Sequence, residues 1–414
     1  MVISSGLQDK VLVAGLIEKK IKFYEIDNLV SDANDASRIR LNAIEKLTKK
    51  KYTTLSKYSI DAKTAKPNIE NMIGAVQVPL GFAGPLLVNG DYSKGEFFLP
   101  IATTEGALCA SINRGCSLIN CARGCNVSII KSGQTRSILL KIDSIKRIRD
   151  FFYWLDKNKS DMKNEAQKNS KYLELNSIHR YVVGNNIWLR LSCDTKDAMG
   201  MNMVSIAAEN LGLYIEANFK GIEFISTSGN ACVDKKPSAQ TLLEGRGKSV
   251  IAQATIPDEL IEKYLKTNSE RLADLNYRKN ILGSALSGSY GFNAHFANII
   301  AAIFLATGQD MAHVVEGSHG FTNIEKCSSA LDVSVTIPAL QVGTVGGGTN
   351  LPSQKECLDM LGVAGPGIVP GENSNKLAEI IAGAVLAGEI SLLGALSAGH
   401  LVKSHLKHNR CVNK

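Results

Sequence analysis

The sequence contains no uninterrupted apolar run of the roughly 18 residues that a membrane helix needs, and its first residues lack a signal-peptide pattern. The most apolar stretch, residues 377–402, contains Glu379 and Glu389 and is rich in Gly, Ala and Ser, which predicts a tightly packed buried helix. We therefore expect a cytoplasmic protein that does not bind a membrane. A chain released from a membrane anchor would show the same features.

Cysteine usage argues against a disulfide framework, because nine cysteines in 414 residues are few and odd in number. Cys116, Cys121 and Cys125 lie close together, but they do not form the CxxC pair typical of zinc sites, and no histidine lies nearby. The sequence therefore predicts buried free thiols and no bound metal.

Three common binding motifs are also missing. No G-x-G-x-x-G follows a strand, which argues against a Rossmann dinucleotide site. The segment 245–249 resembles a phosphate loop, but the pattern requires glycine at position 242, where this chain has Leu242. A recognition motif for nucleic acid is lacking as well, so we expect no nucleic-acid partner. Small anionic substrates such as phosphorylated cofactors explain the net charge of +8 as well as nucleic acid would.

The length of 414 residues predicts two or three domains. Residues 1–66 are rich in lysine and carry apolar residues at helical spacing, which predicts a helical N-terminal region. Residues 138–226 are predicted to form a compact α+β unit, inserted into a larger domain of residues 67–137 and 227–414. The elements predicted around this unit are a hairpin of strands at 127–131 and 136–142, a helix at 144–156, strands near 180–194, a helix at 200–218 and a strand at 222–227. Further helices are predicted at 238–252, 257–275, 292–307 and 377–402, with a glycine-rich loop at 343–348.

The segment 227–238 places Asp234, Lys235 and Lys236 on a loop, since Gly229 allows a turn and Pro237 disfavours a helix. By itself such a segment is more often a solvated turn than a site. Its charged residues become functional candidates only when the other segments of the chain are considered together with it.

Two further carboxylates stand out by position. Thr103 or Thr104 is a plausible helix N-cap, with Glu105 in the first turn, where an acid favours the helix dipole; a structural and a catalytic role are equally open. Asp310 follows Gly308, which is predicted to end a helix. A negative charge is unfavourable there, which suggests a function.

Residues 197–203 place a glycine at the start of a predicted helix, where free backbone N–H groups can hold a phosphate. The alternative is a methionine-rich core face. Near the C-terminus, His405 and His408 share a helical face, so a helical surface or a metal pair is possible as well as catalysis.

Several segments occur in a characteristic order. They are Glu70-Asn71-Met72-Ile73-Gly74, Thr103-Thr104-Glu105-Gly106, Asp197 to Met203, Thr227 to Ser238, Gly308-Gln309-Asp310, Thr344 to Thr349 and Gly399 to His405. Over about residues 68–410 this set resembles the 3-hydroxy-3-methylglutaryl-CoA (HMG-CoA) reductase family, in its soluble, archaeal-like class I form. The resemblance implies an α+β fold, in which a large mixed helical and β domain carries an inserted, small, ferredoxin-like nucleotide-binding domain and a helical N-terminal region.

The reaction implied by this resemblance is the four-electron reduction of HMG-CoA to mevalonate and CoA with two NADPH, in the mevalonate pathway of isoprenoid biosynthesis. The catalytic positions that match the family are Glu105, Lys235, Asp310 and His405. A lysine can stabilise the oxyanion, and a histidine can protonate the CoA thiolate. Asp310 is expected between the glutamate and the lysine, with its carboxyl kept protonated so that Glu105 can donate a proton.

Binding positions follow from the same resemblance. For the HMG moiety they are Arg136, Ser228, Asp234, Lys236, Lys279 and Asn298, and for CoA they are Ser111, Asn113, Arg114 and Lys266. For the nucleotide they are Asp197, Met199, Gly200, Met201, Asn202, Met203, Val345, Gly346, Gly347 and Gly348. The 2′-phosphate position matches Ser170 and Lys171, which favours NADPH over NADH although lysine lacks the guanidinium fork of the family's usual arginine.

The family also implies a homodimer or homotetramer with active sites at subunit interfaces, where residues 70–74 resemble an intersubunit segment and Glu105 faces Lys235 of another subunit. Two departures are Cys411, where animal and plant relatives carry a regulatory serine, and a segment 288–293 that is one residue shorter than usual. The rival functions are another CoA-thioester reductase, a degradative NADH enzyme working from mevalonate, and an inactive CoA-binding relative.

Overall fold

The computed structural model describes residues 5–399. Its first helices are α1 Ser5–Ile17, α2 Ile26–Leu29, α3 Ala33–Thr48, α4 Ala62–Ala65, α5 Leu108–Cys121, α6 Ile148–Lys157, α7 Lys159–Gln167 and α8 Met201–Asn218. The later helices are α9 Ala239–Glu244, α10 Asp258–Leu265, α11 Ser269–Asn276, α12 Ser284–Ser287, α13 Phe296–Thr307, α14 Val314–Gly317, α15 Pro352–Met360 and α16 Glu372–Ser397. The strands are β1 Leu80–Gly90, β2 Lys94–Ala102, β3 Cys125–Ile142, β4 Glu174–Val183, β5 Asn186–Asp194, β6 Ile222–Ser226, β7 Gly247–Pro257, β8 Gly291–Phe292, β9 Gly320–Lys326 and β10 Ala330–Leu340.

Strand β3 replaces the hairpin predicted between residues 127 and 142, and that prediction is wrong. The chain does not turn at 132–135, because Ser132 and Gly133 pair with β7 while Gln134 and Thr135 pair with β5. The side chains of Gln134 and Thr135 are buried, so their polarity marks an interior network rather than a surface turn. One strand therefore passes from one sheet into another.

The first sheet has the order β2-β1-β3-β7-β10-β9-β8. The second sheet shares β3, and its pairings give the order β4-β5-β3-β6, all antiparallel. Helices α6 and α7 connect β3 to β4, and α8 connects β5 to β6, which is the ferredoxin-like arrangement. The predicted α+β class is confirmed.

Strand β7 corrects a second prediction, a helix at 238–252. Helix α9 ends at Glu244, because Gly245 and Gly247 both have φ of 70° and leave helical geometry. Beyond them Val250, Ala252, Ala254 and Ile256 are buried in alternation, the period of a strand that packs one face on a core. The helix predicted at 257–275 likewise divides into α10 and α11.

Three buried apolar clusters account for most of the interior of the described chain. The largest lies between the first sheet and helices that include α5, α13 and α16. A second consists of residues between Ile138 and Ile222, and a third of residues between Leu12 and Ala43. The second sheet and its helices thus have a core of their own.

Helix α16 is long and apolar enough to cross a membrane, but 89% of its most apolar window is buried inside the protein. Two of its carboxylates, those of Glu379 and Glu389, are fully buried and satisfied by hydrogen bonds. Glu379 accepts from the backbone N–H groups of residues 91–93, and Glu389 accepts from those of Ala294 and His295, just before α13. A buried helix is therefore present as predicted, but it spans Glu372–Ser397 rather than 377–402, and residues 400–402 lie outside the described residues. Glu389 fixes the N-terminal end of α13.

Candidate active site

The segment 227–238 forms a loop that the β-strands hold in place. The backbone N–H of Gly229 donates to the carbonyl of Ser137 at 2.6 Å, and Trp188 Nε1 donates to the carbonyl of Gly229 at 2.8 Å. Further along, Thr135 Oγ1 donates to the carbonyl of Cys232 at 3.0 Å. The loop is thus fixed to β3 and β5 immediately before its lysines.

Lys235 lies at the far end of this loop in the left-handed region, with φ of 56°. Its backbone N–H donates to Glu316 Oε1 at 2.6 Å, and its Nζ lies 2.7 Å from Asp310 Oδ2. The lysine side chain is 40% exposed, so a substrate can reach the ammonium group although both ends of the residue are held.

Asp310 follows Gly308, the residue that ends α13 with φ of 69°, as the sequence predicts. Its carboxylate caps the short turn 311–313 by accepting from the N–H of Ala312 at 3.1 Å. Burial raises the pKa of Asp310, but the hydrogen bond from Lys235, the charge of His313 and the Ala312 N–H together lower that pKa further, and the net shift is downward. The downward direction favours the ionised carboxyl in this structure, whereas the resemblance implies a protonated one.

Glu105 does not lie in the first turn of a helix. Helix α5 begins at Leu108, and its N-cap residue is Ala107, so the predicted capping by Thr103 or Thr104 is wrong. Thr103 Oγ1 instead accepts from the N–H of Glu105 at 3.0 Å, within an irregular segment. The exposed Glu105 carboxylate accepts from Asn298 Nδ2 at 3.2 Å, which brings two predicted site residues together.

Four of the six residues predicted to bind HMG lie on this loop or next to it, namely Ser228, Asp234, Lys236 and Arg136. Asp234 accepts from Lys236 Nζ through its backbone carbonyl at 3.2 Å, and its carboxylate lies 3.7 Å from Arg136 Nη1. Ser228 begins the loop directly after β6. Lys279 lies on a π-helical segment, Tyr277–Gly283, a rare geometry that is frequent at functional sites.

A buried network beneath Lys235 was missed by the sequence analysis. Arg246 is fully buried and lies 2.9 Å from Glu316 Oε1 and 2.9 Å from Asp234 Oδ1. Burial lowers the pKa of Arg246, although these two carboxylates oppose the shift. His313 lies between Asp310 and Glu316, with its ring nitrogens 3.5 Å from a carboxylate oxygen of each. The available signal was the spacing of Asp310, His313 and Glu316, each three residues after the one before, so that they follow one another over two successive helical turns.

Three residues of this network, Asp234, His313 and Glu316, carry side-chain atoms of the kind that bind metal ions. One oxygen or nitrogen atom from each of Asp234, His313 and Glu316 lies within 4.8 Å of the others. Arg246 already pairs with both carboxylates, so its guanidinium supplies the positive charge at this position.

The two segments predicted to bind the nucleotide line one cavity of about 670 Å³. Gly200 caps the N-terminus of α8 with φ of 91°, and Ala198 forms an isolated bridge with Val345. Asp310 lines the same cavity, which places the nucleotide positions next to the ion pair with Lys235. The predicted residues that line it are Met199, Gly200, Met201, Asn202, Met203, Val345, Gly346, Gly347 and Gly348.

Asp197 contacts the segments near this cavity by hydrogen bonds with their backbone N–H groups. Its buried carboxylate accepts from the N–H groups of Gly367 at 3.1 Å, Gly371 at 2.9 Å and Ser374 at 3.0 Å. Its carbonyl accepts from the N–H of Thr344 at 2.8 Å. Asp197 therefore ties the glycine-rich loop to the start of α16.

A neighbouring cavity of about 560 Å³ is lined by residues that include Ser170, Lys196 and Asp197. The Nζ of Lys171 lies 5.1 Å from the centre of the Tyr172 ring, a cation–π contact. Of the two residues predicted for a 2′-phosphate, the structure places Ser170 on a cavity wall, and Lys196 is a second lysine that the sequence analysis did not consider.

The positions predicted for CoA lie on α5 and after α10. Ser111 Oγ lies 3.0 Å from Ser391 Oγ, and Arg114 donates to the side chain and the carbonyl of Ser391. Asn113 Oδ1 accepts from the N–H of Gly84 at 3.1 Å. Lys266 is exposed directly after α10. His405 lies outside the described residues, as does Cys411.

Comparison with known proteins decides the family. The sequence model described as hydroxymethylglutaryl-coenzyme A reductase matches residues 36–410. A 3-hydroxy-3-methylglutaryl-coenzyme A reductase of Pyrococcus horikoshii is 50% identical over 398 residues, covering 94% of this chain and 96% of the relative. The chain belongs to the hydroxymethylglutaryl-coenzyme A reductase family.

Other members of the hydroxymethylglutaryl-coenzyme A reductase family agree. The enzyme of that name from Methanocaldococcus jannaschii is 49% identical over 95% of this chain and 98% of its own length. Reductase 1 of Hevea brasiliensis is 43% identical over 97% of this chain and 71% of its own length. A solved class II 3-hydroxy-3-methylglutaryl-CoA reductase from Streptococcus pneumoniae, bound to NADPH, has a TM-score of 0.65 at 19% identity and covers 92% of this chain and 98% of its own, which supports the fold alone.

Proposed function

We propose that this protein reduces HMG-CoA to mevalonate and CoA with two NADPH, the reductase step of the mevalonate pathway. The observation that carries the proposal is the position of Lys235. Its Nζ lies 2.7 Å from Asp310 Oδ2, and Asp310 lines the cavity that the two nucleotide segments form. A cation beside a nucleotide cavity is what hydride transfer to a carbonyl requires.

In the proposed reaction, the first hydride goes to the thioester carbonyl, and Lys235 stabilises the oxyanion of the hemithioacetal. Collapse of that intermediate breaks the carbon–sulfur bond and releases CoA thiolate, which His405 protonates. The second hydride goes to the resulting aldehyde, whose oxygen takes a proton supplied by Glu105. Asp310 stays ionised and holds the Lys235 ammonium group in place.

The substrate positions follow the geometry of the loop. Arg136, Lys236 and Lys279 supply positive charge for the free carboxylate of HMG, and Asn298 orients Glu105. Ser111, Asn113, Arg114 and Lys266 are proposed for CoA. The contacts of Ser111 and Arg114 with Ser391 support a role in fixing α5 against α16 at that position.

We also propose a class I, cytoplasmic, homo-oligomeric enzyme, a dimer or tetramer in which Glu105 acts with Lys235 of another subunit. Three units are proposed: residues 1–66, residues 67–137 with 227–414, and a nucleotide-binding unit of residues 138–226. The separate apolar clusters of residues 12–43 and 138–222 support this division.

The test is the loss of nicotinamide absorbance with HMG-CoA, run in parallel with NADPH and NADH. We expect two NADPH oxidised for each CoA released, with NADPH the faster cofactor. Faster turnover with NADH would favour a degradative enzyme. No oxidation of either cofactor would point to an inactive CoA-binding relative and would reject the proposal.

A further inference from the structure

Glu316 lies beneath the loop that carries Lys235 and contacts it directly. Its carboxylate is fully buried, and Oε1 accepts from the backbone N–H of Lys235 at 2.6 Å, the side-chain amide of Gln341 at 3.1 Å and Arg246 Nη1 at 2.9 Å. Burial raises the pKa of Glu316, but the hydrogen bond with His313 and the charge of Arg246 lower it by more, so the net shift is downward and favours the charged form. A charged acceptor therefore holds the backbone of Lys235.

The loop requires stabilising contacts such as the hydrogen bond to Glu316, because its backbone is in an uncommon conformation. Asn230, Val233 and Lys235 all have positive φ, of 63°, 56° and 56°. A β-branched residue such as Val233 is strained in this region, and the conformation persists only where neighbouring contacts impose it. The hydrogen bonds from β3 and β5 to the loop backbone end at Cys232. Beyond it, Arg246 pairs with the side chain of Asp234, and Glu316 accepts from the backbone of Lys235, so Glu316 holds the main chain of the residue that bears the ammonium group.

The buried side chains around Glu316 also contact Asp310, the ion-pair partner of Lys235. His313 is fully buried, with Nδ1 3.5 Å from Glu316 Oε1 and Nε2 3.5 Å from Asp310 Oδ2. Arg246 balances the charge of Glu316, with its Nη1 2.9 Å from the same oxygen, Oε1. Both members of the Lys235–Asp310 pair therefore contact one rigid, buried group of side chains, although neither Glu316 nor His313 lines the nucleotide cavity.

We propose that Glu316 is a positioning residue for hydride transfer, which fixes the Lys235 ammonium group at the reacting carbonyl through its hydrogen bond to the Lys235 backbone. This role rests on the proposed reduction of HMG-CoA. A misplacement of about 1 Å in a catalytic group can cost about 10²-fold in rate, so the effect belongs in kcat rather than in substrate binding.

The experiment compares Glu316→Ala and Glu316→Gln in the full-length enzyme. Glu316→Ala removes the acceptor, and we expect kcat to fall by about 10²-fold with little change in KM for HMG-CoA or in the Kd for NADPH. Glu316→Gln keeps an oxygen acceptor for Lys235 but loses the charge opposite Arg246, so we expect kcat within about tenfold of the unmodified enzyme even if stability falls.

Glu379 provides the matched control. It is also fully buried and accepts from three successive backbone N–H groups, those of residues 91–93, in a turn between β1 and β2. Glu379→Ala is expected to lower stability but to leave kcat per folded molecule unchanged.

The outcomes separate the two proposals. If the unmodified enzyme does not oxidise NADPH with HMG-CoA, the proposed function fails. If it does, and Glu316→Ala loses stability but keeps kcat, as the Glu379 variant is expected to do, Glu316 is only structural and the inference is overturned. Equal losses of kcat in Glu316→Ala and Glu316→Gln would also overturn it, because the acceptor would then not be the decisive feature.

Discussion

The Nζ of Lys235 and the Oδ2 of Asp310 lie 2.7 Å apart, at the point where the loop after β6 meets the C-terminal end of α13. The two side chains are 40% and 34% exposed, so solvent and substrate reach both. An ion pair this exposed contributes little to stability. Its significance is geometric, since it places a cation beside Asp310, which lines the cavity formed by the segments proposed to bind the nucleotide.

The first prediction concerns Lys235 itself. Lys235→Ala is expected to lower kcat by about 10²- to 10³-fold, because the oxyanion formed by hydride transfer loses its positive partner. NADPH binding, measured by fluorescence titration, should stay close to that of the unmodified enzyme. Lys141→Ala is the control, as Lys141 is an exposed lysine of β3 that lies 3.8 Å from Glu223. Unchanged turnover in Lys235→Ala would remove Lys235 from the mechanism.

The second prediction concerns pH. The folded-state pKa of Asp310 lies below its ordinary value of 3.8, so the charged form is present above that pH and is lost only as the pH falls through the lowered pKa. Any acid limb in kcat/KM between about pH 5 and 8 must then belong to another group. Asp310→Asn should lower the rate but keep that limb. An acid limb that disappears in Asp310→Asn would assign that limb to Asp310 and mean that its pKa is raised in the working enzyme. A basic limb that disappears in Asp310→Asn would mean that the protonated carboxyl is the active form, as the sequence analysis expected.

The ion pair also illustrates what sequence can predict. The family motifs identify Lys235 and Asp310, and the glycine after α13 places Asp310 at a helix end. The residues that support this pair were not predicted. Arg246 and Glu316 act through contacts with segments that are distant in the chain, and the local spacing of His313 from Asp310 was not recognised as a signal. The path of β3 was missed for a related reason: Gln134 and Thr135 resemble turn residues until their buried partners are known.

Prediction from the local sequence pattern also failed where the residues fit both a helical and a strand period. Residues 247–257 contain small and branched residues that suit either a helix or a strand, and the pairing with β3 and β10 decides for a strand. The long apolar helix α16 was predicted because an apolar run of this length, rich in Gly, Ala and Ser, is too long for a strand, although the helix spans Glu372–Ser397 rather than 377–402. Tertiary pairing therefore explains most of the differences between prediction and structure.

The third prediction concerns the nucleotide site. Asp197→Ala removes the acceptor of three backbone N–H groups at residues 367, 371 and 374, which should cost about 1.5–3 kcal/mol of stability and loosen the glycine-rich loop. We expect a larger Kd for NADPH, measured by fluorescence titration, with a smaller effect on KM for HMG-CoA. Asp274→Ala, which removes an exposed pair with Arg278, should change neither value. An unaltered Kd would show that the loop does not depend on Asp197.

The last prediction concerns the contact between α5 and α16. A Cβ at Gly115 would lie 1.9 Å from the carbonyl oxygen of Ala387, so Gly115→Ala must push the two helices apart, at a cost of about 3 kcal/mol or more. The shift also moves Ser391 away from Ser111 and Arg114, so KM for HMG-CoA should rise more than kcat falls. Urea denaturation and steady-state kinetics measure the two effects. Ser117→Ala, at an exposed position of the same helix, should alter stability by less than about 0.5 kcal/mol. A stable Gly115→Ala enzyme with normal KM would mean that the helices can separate without disturbing the CoA positions.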